Sequence, residues 1–135
     1  WTKSMDVALY FMNEERIGDG AVFVCNATAT GKTKLDQYEL LLDKMIEANN
    51  EGRAFGCPLL IFPPVQIKDE RVNRQEAVYW AQMDMRFPID EIWAKQEKDS
   101  GIDFIYRKLV LKDGTQSEVD EYLIGKGITH SYLFP

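Results

Sequence analysis

Trp1-Thr2-Lys3-Ser4-Met5-Asp6-Val7-Ala8-Leu9-Tyr10-Phe11 opens the chain and decides how the rest reads. Met5, Ala8, Leu9 and Met12 recur at helical spacing, and Ser4 stands where a hydroxyl N-cap belongs. The stretch predicts a helix over residues 4–13. Gly18-Asp19-Gly20 then predicts a turn. Ala21-Val22-Phe23-Val24-Cys25 is short, β-branched and continuous, the pattern of a buried strand. Val22, Phe23 and Val24 are expected at the centre of a sheet, against a helix carrying Leu41, Leu42 and Met45. Trp1 leads straight into core-type sequence, so its ring is expected to pack against other residues, an upstream segment or another chain.

Further along, Thr28 to Thr33 reads as a loop and Leu35 to Asn49 as a helix. Leu35, Tyr38, Leu41, Leu42, Met45 and Ile46 form its apolar stripe. Pro58 to Phe62 is a short apolar strand closed by Pro63-Pro64. Gln75 to Trp80 fits either period; a strand puts Gln75, Ala77 and Tyr79 on one face. Pro88 to Lys98 reads as a helix and Phe104 to Leu111 as a strand. After the Asp113-Gly114 turn, a helix runs from Ser117 to Lys126. Thr115 and Glu118, and Ser117 and Asp120, have capping-box spacing, and Gly127 suits a left-handed stop. Short strands mixed with helices predict an α+β fold with small mixed or antiparallel sheets and flanking helices.

The length of 135 residues fits one domain, 1–135, and 45% hydrophobic residues can fill its core. A net charge of −6 and a pI near 4.8 argue against a general nucleic-acid surface. No apolar run approaches the ~20 residues that span a bilayer. Cys25 and Cys57 are widely spaced among apolar neighbours, which reads as two buried thiols of a cytoplasmic protein.

Asn26 to Thr33 follows a strand and ends in Gly31-Lys32-Thr33, but Asn26 stands where a P-loop needs glycine. A solvated loop is the better reading. His130 is the single histidine and cannot build a metal site by itself, so no metal is expected. Asp69-Glu70, Asp90-Glu91 and Asp120-Glu121 read as solvated faces, and Arg74 with Glu76 as a solvent pair. Gln75 opens an otherwise apolar segment. A buried amide needs partners, so it serves either a structural bond or a site.

Three blocks resemble the FRG domain family, in order and over roughly half the chain. Trp1, Thr2 and Val7-Ala8-Leu9-Tyr10-Phe11 match its Trp-Thr and Val-Ala-Leu-Tyr-Phe elements, with Met12 in an alanine place. Arg71-Val72-Asn73-Arg74-Gln75-Glu76-Ala77-Val78-Tyr79 is similar to its Arg-Ile-x-x-Gln-x-Gly-x-Phe segment, with Ala77 for Gly and Tyr79 for Phe. Lys108 to Pro135 is similar to its closing pattern, ending in Gly127-Ile128 and Leu133-Phe134-Pro135. The resemblance implies an FRG domain lacking its N-terminal part, from a bacterial or phage-related protein of toxin or defence type.

By analogy of organisation, the resemblance further implies an ADP-ribosyltransferase-like split sheet with NAD as substrate. Gln75 would then be the catalytic residue on a late strand, and Thr2, Arg71 and Tyr79 would line the nucleotide site. A glutamine can orient a ribose hydroxyl but cannot act as a general base. The partner is therefore a small-molecule nucleotide or a protein acceptor. The alternative is a non-catalytic domain of the same fold that binds a ligand or a protein.

Overall fold

The computed structural model describes residues 1–26, 38–53, 59–61, 69–81 and 85–135. The expectations for the Thr28–Thr33 loop, the start of the helix at Leu35, Cys57 and Pro63-Pro64 lie outside those residues. Ten elements follow in order: α1 (Met5–Asn13), β1 (Gly20–Cys25), α2 (Tyr38–Asn50), β2 (Leu59–Ile61) and α3 (Glu70–Arg74); then β3 (Tyr79–Ala81), α4 (Ile89–Ser100), β4 (Tyr106–Leu111), α5 (Gln116–Gly125) and α6 (His130–Leu133). The strands pair in twos, β1 with β4 and β2 with β3. Asp19 meets Lys112 and Asp113 at one end of the first pair, and Asn26 N–H donates to the Ile105 carbonyl at the other. These two strands therefore run antiparallel, and the fold is α+β.

The described residues form two compact units. The first takes in 1–23, 69–79 and 108–135, and the second 24–26, 38–53, 59–61, 80–81 and 85–107. In the first, α1 packs on α5 and α3 on α6. Val7, Val22, Val78, Leu123 and Leu133 are buried there. Each such aliphatic side chain contributes roughly 1.5–3 kcal/mol by leaving water. Ser4 caps α1 as its sequence predicts, its Oγ accepting from Val7 N–H at 3.3 Å.

Buried Asn13 closes α1 against α5. Its Nδ2 donates to the Gln116 carbonyl at 3.0 Å and to Asp120 at 2.7 Å. Asp120 is thus a bonded partner as well as a surface charge. Arg16 donates to Asn13 Oδ1 at 3.0 Å and reaches the Leu111 carbonyl and the Thr115 hydroxyl. That use of Thr115 corrects the capping box: its hydroxyl donates to the Lys112 carbonyl and makes no bond to its own helix. Gly127 does take the left-handed conformation that stops α5, with φ of 74°.

Three further expectations are corrected. Gln75 does not open a strand. Asp69 N-caps a short helix, accepting from Arg71 and Val72 N–H, and Gln75 is the C-cap of that helix. A single antiparallel bridge joins Ala77 to Thr2, and the strand proper begins at Tyr79. Arg74 accordingly pairs with Glu70 one turn earlier rather than with Glu76. Nor is β1 buried throughout. A two-stranded ribbon covers alternate side chains, so Val22 is buried while Phe23 is exposed, with the Lys108 ammonium 5.7 Å from its ring centre.

In the second unit α4 carries the core. Pro88 precedes it, Asp90 and Glu91 sit in its first turn, where the helix dipole favours them, and Gly101 ends it. Ile92, Trp93 and Ile105 are buried, with Trp93 5.6 Å from the Tyr106 ring. Glu97 accepts from Ile105 N–H at 3.0 Å and pairs with Arg107 at 2.6 Å. These bonds, the amide first, hold its carboxyl below the ordinary value. Among the described residues no helix is long and apolar enough to cross a membrane.

Candidate functional site

A cavity of about 570 Å³ opens in the first unit, and Thr2, Arg71, Gln75 and Tyr79 all line it. They come from sequence positions up to 77 apart, brought together by local geometry. Residues 1–3 lie alongside 76–78: Val78 N–H donates to the Trp1 carbonyl at 2.8 Å, and Lys3 N–H to the Glu76 carbonyl at 3.1 Å. The Asp69 cap sets the register of α3, which places Arg71 and Gln75 one helical turn apart.

Hydrogen-bond accounting separates the four residues. Thr2 Oγ1 donates to the Gln75 carbonyl at 2.7 Å and accepts from Ser4 N–H at 3.0 Å. Its single proton is spent, and one lone pair remains. Gln75 Nε2 donates to the Leu133 carbonyl at 3.2 Å, which leaves one N–H and the Oε1 acceptor of the amide. The Arg71 guanidinium lies 4.6 Å from the Phe134 ring centre and has no carboxylate partner among the described residues. The Tyr79 hydroxyl is likewise without a bonded partner among them.

The rest of the described wall is apolar, made of aliphatic side chains such as Met12, Val22 and Val78 and of aromatic rings. Trp1, Phe11 and Phe23 line the cavity, and with Tyr79 they are 43–48% exposed. Trp1 is thus partly packed, and one side faces the cavity. Reading the sequence misses Phe11 as a wall residue, although a signal is present: Phe11 falls off the stripe of Met5, Ala8, Leu9 and Met12. It also misses the Phe134 platform beneath Arg71. Among the described residues no lining side chain is a carboxylate, in a chain whose net charge is −6. The described lining therefore presents a guanidinium, an amide and apolar faces, several of them aromatic.

His130 lies outside that lining. Its ring stacks on Phe134 at 4.6 Å, and Nδ1 sits 3.1 Å from the Tyr10 hydroxyl and 3.6 Å from Glu14. Burial and the Glu14 carboxylate push the Tyr10 hydroxyl upward. The histidine is a satisfied surface residue. Burial raises the Cys25 thiol, which disfavours its nucleophilic form. Among the described residues no three His, Cys, Asp or Glu side chains gather as a metal site. No family model, curated protein or solved structure matches the chain.

Proposed function

We propose that this chain is a nucleotide-binding domain of ADP-ribosyltransferase-like organisation, as its resemblance to the FRG domain implies, with NAD or a related nucleotide in the cavity beside Arg71 and Gln75. One observation carries the reading: Thr2, Arg71, Gln75 and Tyr79, the residues the resemblance assigns to the site, all line one cavity. Aromatic walls suit a stacked base, and a guanidinium with no carboxylate partner among the described residues suits a phosphate. On this reading the two small sheets belong to a split-sheet arrangement, and the protein works in the bacterial cytoplasm, in a toxin or defence setting.

The second reading, a non-catalytic binding domain, is favoured by the lining, in which the described residues supply an amide and a guanidinium but no carboxylate. Gln75 can orient a hydroxyl but takes no proton. Titration calorimetry with NAD and ADP-ribose tests binding, and release of nicotinamide from NAD tests turnover. Saturable binding with nicotinamide release supports the transferase; binding without release supports the second reading. Absence of binding to either ligand overturns the nucleotide proposal.

A further inference from the structure

We infer that the cavity selects the adenylate group of its nucleotide, with Gln75 reading the base edge and Arg71 gripping the adjoining phosphate. The inference rests on the nucleotide-binding reading and deepens it, and it gives the Gln75 amide to the base rather than to a ribose hydroxyl. After its bond to Leu133, the Gln75 amide offers one N–H donor beside one carbonyl acceptor. Adenine presents the complement, the N7 acceptor next to the N6 amine donor. Guanine places two acceptors, O6 and N7, on that edge. Gln75 cannot serve both, since its other N–H is committed to the Leu133 carbonyl.

A nicotinamide ring fits less well for an electrostatic reason. In NAD that ring is cationic, and here it would stand near the Arg71 guanidinium with no carboxylate among the described lining residues to offset it. An uncharged purine with an anionic phosphate matches the same surroundings. Phe11 and Tyr79 are partly exposed in the lining, and aromatic rings of this kind stack bases. Arg71 rests on Phe134, so less freedom is lost when its fork closes on a phosphate.

Titration calorimetry on the unaltered full chain, with AMP, GMP and nicotinamide mononucleotide, tests this. AMP is expected to bind, and GMP to bind between about fivefold and a hundredfold more weakly, the range of one bidentate base contact. Nicotinamide mononucleotide should fail to displace AMP. Arg71→Gln should abolish AMP binding while its circular dichroism melting curve stays unchanged. Equal affinity for GMP and AMP overturns the base assignment without recourse to any variant. NAD or ADP-ribose binding with none for AMP overturns this inference but leaves the nucleotide reading standing. Absence of all nucleotide binding overturns both.

Discussion

Thr2 Oγ1 donates a 2.7 Å hydrogen bond to the backbone carbonyl of Gln75, across 73 residues of sequence. The same oxygen accepts from Ser4 N–H just before α1. One hydroxyl thus ties the cap of α1 to the C-cap of α3. Thr2→Val keeps the shape and removes both bonds, which should destabilise the fold by about 1–2 kcal/mol in urea denaturation. Thr2→Ser keeps the hydroxyl and should lose less than half of that. A larger loss in Thr2→Ser than in Thr2→Val would show that the methyl, rather than the oxygen, matters.

Glu76 holds a left-handed backbone, with φ of 45°. Its exposed side chain forms no ion pair among the described residues. Left-handed geometry costs a non-glycine residue roughly 1–2 kcal/mol, and glycine adopts it freely at some entropic cost of its own. Glu76→Gly should therefore stabilise the protein by about 0.5–1 kcal/mol, read as a rise in Tm. Ala77→Gly should do the reverse, because Ala77 sits in the extended bridge to Thr2. A destabilised Glu76→Gly would mean that the side chain has a role beyond this turn.

Much of this was legible from local chemistry. Ser4, the Met5-Ala8-Leu9 spacing and Gly127 each carry their own instruction, and α1 and the stop of α5 follow it. What failed depended on neighbours distant in sequence. The Gln75 segment fits both periods, and the Asp69 cap decides between them, although by type Asp69 equally fits a solvated charge. Thr115 has capping-box spacing, yet Arg16 and the Lys112 carbonyl claim its hydroxyl. Val22 and Phe23 look alike to a hydrophobic count, and only the two-stranded pairing of β1 separates them. The resemblance picked out four cavity residues, but it could not show that the Thr2 proton is already spent.

Asn13 is the buried polar residue on which the α1–α5 junction depends. It bonds Gln116, Asp120 and Arg16 at once. Asn13→Ala takes the amide donor away from the Gln116 carbonyl and from Asp120 and opens a small void, so a loss of about 2–3 kcal/mol is expected. The double-mutant cycle with Arg16→Ala should show strong coupling, because one bond and one network are shared. Additive losses in that cycle would make the two residues independent and refute the network.

Glu97 fixes the start of β4 and should make the second unit sensitive to acid. Its carboxylate accepts from Ile105 N–H, pairs with Arg107 and accepts a longer bond from Tyr106 N–H. These donors favour the charged form, so its folded pKa lies below the ordinary 4.5. A depressed carboxylate contributes its stability above the unfolded value and loses it as pH falls through the folded one. Glu97→Gln keeps the size and removes the titration. Above pH 4.5 the variant should be less stable than the parent by a constant margin, since Arg107 loses its charged partner. Below that pH the margin should shrink as the parent takes up its proton. Denaturation midpoints at neutral pH and at successively lower pH values measure it directly. A margin that stays constant into strong acid would show that the Glu97 bonds do not depend on its charge.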